Sequence, residues 1–287
     1  MTRQTATLIG FIAVLSWALL ALFTVGSAPV PPLQLNAICF AIAAVIGFAW
    51  IWRKKAWHEL RSVSAGVYAF GSLGIFGFHF LFFSALRHAP AAEASLINYL
   101  WPLLIVLFSG LLPGERLRPL HILGALMGFA GAALVIAGSA SFTSSAFVGY
   151  AYALSAAFAW SSYSVLSRRL GHVTTASVAV FCLLASLLAT VTHVMFEATK
   201  WPATSIGWIS VLALGLGPVG GAFYLWDIGV KRGDIQLLGT ASYAAPLLST
   251  LALILAGISE LRLTLVLAAA LITAGAGLAA VASRQTR

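Results

Sequence analysis

Charge is what this chain has least of. Asp, Glu, Lys and Arg together make up 8% of its 287 residues, and seven of those side chains are acidic. A soluble domain of that length needs a charged surface toward water, and so few charges cannot cover one. Cysteine is almost missing too. Cys39 and Cys182 each stand alone inside an apolar run, without the spacing of a disulfide framework or a zinc site. They read as buried apolar residues. The sequence also lacks a phosphate-binding glycine loop, a catalytic triad, paired mid-span carboxylates and a metal-ligand motif. An enzyme, an ATP-driven pump in one chain, a cofactor and a metal are therefore not expected. Rings of charge and a filter loop are missing as well, which argues against a channel.

What is present is hydrophobicity, at 61% of residues. The apolar runs are continuous and do not alternate, which excludes a β-barrel and points to an all-α integral membrane protein. Ten transmembrane helices are expected, over residues 7–28, 33–52, 66–86, 91–111, 119–139, 147–167, 176–197, 205–229, 238–257 and 263–282. The first follows Arg3 but is longer than a signal-peptide core and is soon followed by another span, so it reads as a helix that is kept.

The formal charge of +9 does not imply nucleic acid, because the Lys and Arg residues sit in short loops. Of the sixteen, thirteen fall on one side of a ten-span chain: Arg3, Arg53, Lys54, Lys55, Arg61, Arg116, Arg118, Arg168, Arg169, Lys231, Arg232, Arg284 and Arg287. The other side holds Arg87, Lys200 and Arg262. This bias predicts a bacterial inner-membrane protein with both termini cytoplasmic. Trp50, Trp52, Trp57, Trp201 and Trp208 lie near predicted helix ends, where an interfacial aromatic belt is expected.

The chain also resembles itself. Tyr99-Leu-Trp-Pro102-Leu-Leu104 aligns with Tyr243-Ala-Ala-Pro246-Leu-Leu248 at an offset of 144, which also sets Arg87-His88 on Lys231-Arg232 and Gly77 on Gly221. Gly114-Glu115 pairs with Ser259-Glu260 one residue out of that register, and Leu15-Ser16 matches Leu154-Ser155. Residues 1–143 and 144–287 are accordingly expected to be two five-helix repeats. Five is odd, so the halves cross the bilayer in opposite senses, as two inverted repeats suited to alternating access with a solute held between them. Pro102 and Pro246 lie in matching fourth spans. Each removes a backbone hydrogen bond and kinks its helix, either as a hinge or as a static bend. Gly71, Gly74 and Gly77 form one small-residue stripe and Gly124, Gly128 and Gly131 another, both read as close helix packing.

Several local motifs coincide with this pattern: Asn98-Tyr-Leu-Trp-Pro102, Ala157-Phe-Ala-Trp160, Trp226-Asp-Ile-Gly229 and Ser242-Tyr-x-x-Pro246. With them, nearly the whole chain resembles the drug/metabolite transporter superfamily with EamA-type repeats, most closely its YddG-type aromatic amino acid exporters. The resemblance implies ten helices, inside termini and export of aromatic amino acids, with threonine and methionine as further substrates. Another small metabolite or an amphiphilic drug is the alternative within the superfamily. The chain departs from the family's Trp-Asn pattern at Trp226-Asp227, where an acid bears on coupling or a gate.

An aromatic amino acid needs a π-rich wall, an aromatic face for its ammonium and donors for its carboxylate. Trp17, Trp101 and Trp160 lie mid-span, as cavity lining or as packing. Asn98 lies three residues before Trp101, Tyr163 and Ser164 follow Trp160, and Tyr99 and Tyr243 are repeat partners, with Ser242 adjoining the latter. His79, with Phe83 one turn on, lies deep in the third span, where an ionisable residue is a pocket candidate that donates to the substrate carboxylate or moves a proton, or a neutral histidine bonded to backbone. Asp227 stands four residues before Lys231, as a helix-end ion pair or a gate. The expected partners are a small-molecule substrate and the lipid bilayer, with no nucleic acid, and the expected state is a monomer.

Overall fold

The structure, a computed structural model, describes residues 1–136, 142–257 and 263–284. Ser259, Glu260, Arg262 and Arg287, used above for the repeat and the charge bias, lie outside the described residues. Among those described, every regular element is helical.

Among the described residues ten segments are long enough to cross a bilayer, and four of them are broken. α1 (Arg3–Trp17) and α2 (Leu20–Gly26) form the first, α3 (Pro32–Lys54) the second. A short α4 (Trp57–Arg61) precedes α5 (Ala65–His88), the third. α6 (Ala91–Asn98) and α7 (Trp101–Ser109) form the fourth, and α8 (Pro119–Ile136) the fifth. α9 (Phe147–Arg169) and α10 (Ser177–Phe196) are the sixth and seventh. α11 (Ser205–Leu216) with α12 (Gly221–Arg232), then α13 (Ile235–Ala241) with α14 (Ala244–Leu255), make the eighth and ninth, and α15 (Leu263–Arg284) the tenth.

Among the described residues, nine of these segments combine that length with an apolar sequence. The tenth, α9, is 23 residues long but carries Ser155, Ser161, Ser162, Ser164 and Ser167, a composition suited to protein contact on one face. Local chemistry sets several starts. Thr2, Ser64, Thr204 and Asp234 cap α1, α5, α11 and α13 by accepting from a backbone N–H three residues on.

α3 packs on α10, α8 on α15, α5 on α9 and α1 on α12, and α7, which also packs on α9, meets α13. In the order of spans these are second with seventh, fifth with tenth, third with sixth, first with eighth and fourth with ninth. A two-fold relation between the first five spans and the last five maps that set of pairs onto itself.

Both small-residue stripes lie at helix crossings. A Cβ on Gly124 would stand 2.5 Å from the carbonyl oxygen of Gly275, and one on Gly131 would stand 2.9 Å from that of Ala268, so α8 and α15 touch backbone to backbone. Gly71 and Gly74 make room for Phe181 and Tyr163, whereas Gly77 faces open space.

The four breaks also pair. Between α1 and α2, Trp17 sends its indole N–H 3.0 Å to the carbonyl of Pro218, in the break between α11 and α12. Between α13 and α14, the Tyr243 hydroxyl accepts the backbone N–H of Leu103 at 3.0 Å, just past the break between α6 and α7. Pro102 and Pro246 stand at the second and third positions of α7 and α14, so the interruptions fall immediately upstream of them. The breaks in the first and eighth spans were not expected. Gly217-Pro218-Val219-Gly220-Gly221 was a readable signal for the second of these. The first has no proline or glycine at Ala18-Leu19, and it lies beside the long-range bond from Trp17 to Pro218.

Candidate functional site

Four helices bring four indoles together at the middle of the bundle. Trp17 closes α1, Trp101 opens α7, and Trp160 and Trp226 lie within α9 and α12. The ring of Trp17 is 5.0 Å from that of Trp226 and 6.0 Å from those of Trp101 and Trp160. Trp101 is 6.3 Å from Trp160 and 6.0 Å from Trp226, and Trp160 stacks on Trp226 at 6.1 Å. Every pair is within contact range, mostly edge to face, the arrangement that ring quadrupoles favour. Trp101, Trp160 and Trp226 are buried, and Trp17 is partly open.

The polar edges differ. Trp17 is engaged with Pro218, and Trp226 donates to Ser164 Oγ at 3.0 Å. Among the described residues the indole N–H groups of Trp101 and Trp160 have no hydrogen-bond acceptor, which leaves two donors for a bound anionic group.

A phenylalanine wall adjoins the indoles. Phe78 lies 5.3 Å from Trp160, and Phe223 lies 5.6 Å from it. His79 sits among Phe40, Phe78, Phe83 and Phe223, at ring distances of 5.0–6.3 Å. Its Nδ1 is 2.9 Å from the carbonyl of Ile75, an acceptor, so Nδ1 carries a proton. The neutral ring therefore offers Nε2 as an acceptor, and it gives a proton to a carboxylate only as the imidazolium. Tyr163 stacks on Trp160 at 5.4 Å and on Phe70 at 5.7 Å, which extends the aromatic surface.

Trp17, His79, Phe83, Trp101, Trp160 and Tyr163 are thus joined in one aromatic assembly. Tyr99, Ser242 and Tyr243 are not part of it. Tyr99 and Tyr243 belong to a separate apolar cluster with residues of α8 and α15, and Phe129 is edge-on to Tyr243 at 6.1 Å. The Ser242 hydroxyl donates to the carbonyl of Leu238 at 2.8 Å. Asn98 is buried with Oδ1 unpartnered, and the break after α6 removes the shared helix face expected with Trp101.

Asp227 is buried in an ion pair with Lys231 at 2.8 Å, and its second oxygen accepts from Thr175 Oγ1 at 2.8 Å. Lys231 also donates to the carbonyl of Val173 at 3.1 Å, tying the turn before α10 to α12. His193 is bonded to Glu197 and Thr199, and His121 joins the start of α8 to Ser283. Glu197 accepts from the first backbone N–H groups of α3 at Leu33 and Gln34 and pairs with Arg87 at 2.7 Å. Cys39 and Cys182 are free and buried.

Sequence reasoning missed Trp226, Phe40, Phe78 and Phe223. Trp226 was visible in the sequence only within the Trp226-Asp-Ile-Gly229 motif, because it lies nearer the end of the eighth span than its middle.

A multi-pass bundle with broken spans meeting around an aromatic centre defines a membrane protein of the solute-transporter class. The EamA-like transporter family model matches residues 4–137 and again 147–281. The chain belongs to that family, one of transporters and not of enzymes. It is 49% identical over 288 residues to the aromatic amino acid exporter YddG of Ancylobacter novellus, covering 99% of this chain and 100% of that one. The aromatic amino acid exporter YddG of Escherichia coli is 25% identical over 264 residues, covering 87% of this chain and 88% of its own. A crystal structure of a protein 49% identical superposes with a TM-score of 0.94 over 99% of each chain.

Proposed function

We propose that this protein is a bacterial inner-membrane exporter of aromatic amino acids, with threonine and methionine as secondary substrates. It works by alternating access of a site at the four indoles. The observation that carries this reading is the meeting of Trp17, Trp101, Trp160 and Trp226, drawn from both halves of the chain. A substrate side chain stacks on the indoles and on the Phe78 and Phe223 rings. Trp101 and Trp160 turn their N–H groups to the carboxylate. The ammonium finds the Nε2 acceptor of His79 and the aromatic faces. The exporters to which the chain is similar support the substrate class.

In this reading residues 1–143 and 144–287 are the two inverted repeats, and the two-fold pattern of helix pairs favours that division. The breaks beside Pro102 and Pro246 are the hinges. The basic ends of the helices, and with them both termini, face the cytoplasm. The protein acts as a monomer.

Counterflow in proteoliposomes with labelled tryptophan, phenylalanine, threonine, methionine and an uncharged metabolite tests the assignment. Saturable exchange, fastest for the two aromatic substrates, is expected, and Trp101→Ala should slow it about tenfold, a loss of roughly 1.4 kcal/mol of stacking and hydrogen bonding. Equal rates for all five solutes, or an unaffected variant, would sink it.

A further inference from the structure

Each helix that brings a tryptophan to the centre leads to a charge at the basic end of the bundle. α1, with Trp17, begins at Arg3, and the turn after α7, with Trp101, presents Glu115. α9, with Trp160, ends near Arg168, and the turn after α12, with Trp226, holds Asp234. These four side chains meet. Arg3 Nη2 is 3.4 Å from Glu115 Oε2 and 3.3 Å from Asp234 Oδ2. Arg168 pairs with the other Glu115 oxygen through Nη2, and its Nη1 donates to the carbonyls of Val230 and Gly233 at 2.8 Å.

The closure continues inward along one face of α1. The backbone N–H of Asp234 donates to Thr7 Oγ1 at 2.8 Å. One turn on, a Cβ at Gly10 would stand 3.0 Å from the Cα of Gly229, so α1 and α12 touch backbone to backbone. Ala13 follows, fully buried, before Trp17 is reached. At the far end of the bundle the pair Arg87–Glu197 joins α5 to α10, and neither of those helices carries one of the four indoles.

We propose that Arg3, Glu115, Arg168 and Asp234 are the gating residues of the basic end, the ion pairs that part before a solute reaches the indoles from that side. The proposal rests on the tryptophan centre being the binding site. The seam is defined. Arg168 is anchored on the α12 backbone, so Arg168 and Asp234 move with the second half, while Arg3 and Glu115 move with the first. The bonds across it, Arg168–Glu115 and Arg3–Asp234, are charge-assisted and partly open to water, strong enough to close the end and weak enough to break in each cycle.

Two measurements test it, in a background with Cys39→Ala and Cys182→Ala. The first reads labelling of an Ala13→Cys reporter by a membrane-impermeant maleimide from the basic side. Glu115→Gln should speed labelling about threefold or more by weakening the latch; an unchanged rate would overturn the proposal. The second ties Arg3→Cys to Asp234→Cys with a short bis-maleimide. Tryptophan counterflow should fall in proportion to the fraction cross-linked, and full counterflow in cross-linked protein would equally overturn it. The labelling result does not depend on the identity of the substrate. Failure of the binding reading would instead appear as normal counterflow in Trp101→Ala with the labelling difference intact.

Discussion

A single hydroxyl illustrates how residue roles separate in this protein. Tyr243 is fully buried, it packs on Gly128, and its oxygen accepts the Leu103 N–H next to a helix break. In lipid no water can replace that bond. Tyr243→Phe should therefore destabilise the protein by about 1–3 kcal/mol, the cost of stranding a buried donor. Tryptophan competition in counterflow should stay normal, since the ring is remote from the indoles. A variant of wild-type thermal stability with weakened competition would reverse that assignment. His79 makes the opposite case. With Nδ1 committed to Ile75, His79→Ala should weaken competition by tryptophan while leaving the fold intact. Amino-blocked tryptophan, which lacks the ammonium, should lose little between the two proteins. An equal loss for both ligands would remove the ammonium contact.

At the scale of elements, glycine placement decides which helices may approach. Gly124 and Gly275 face each other across α8 and α15 with no room for a methyl group. Gly124→Ala should cost about 1–3 kcal/mol of overpacking, seen as a lower melting temperature in detergent. Gly77→Ala, which meets nothing within 4 Å, serves as the neutral control. The spans themselves were legible from sequence to within a few residues, because apolar run length marks nine of them and α9 fills the remaining length between charged turns. Their interruptions were half legible. Pro102 and Pro246 announce two, and Gly217-Pro218 marks a third. Ala18-Leu19 reads as uninterrupted helix, and nothing local in the sequence marks its break. The same divide holds for the site. That Trp17, Trp101 and Trp160 meet was legible because a deep indole in an apolar span is conspicuous. Tyr99 and Tyr243 were matched by repeat register, which fixes their equivalence and not the direction in which they point.

For the whole molecule, the proposed orientation rests on charge distribution. Cysteines placed at Thr2 and Arg284 should both react with an impermeant reagent in inside-out vesicles and resist it in intact cells. Labelling from opposite faces would break the even count of crossings. Asp227 holds two elements together. Its pair with Lys231 is closed by Thr175 and Val173, so it braces the loop before α10 against α12. Asp227→Asn would leave a buried ammonium without its counter-ion, at a cost of about 3–5 kcal/mol, and Lys231→Met in the same chain should recover most of it. Thermal unfolding of the single and double variants reads this directly.

The interruptions in the first and eighth spans have no counterparts at the equivalent places, since α9 and α5 run unbroken. A carrier whose halves were interchangeable would climb the same hill in both directions. In the alternating-access reading, the inward-facing and outward-facing states therefore rest on different backbone bends and differ in energy. Efflux and uptake measured at matched gradients should then differ in maximal velocity, and this rectification would come from the scaffold with no coupled ion required.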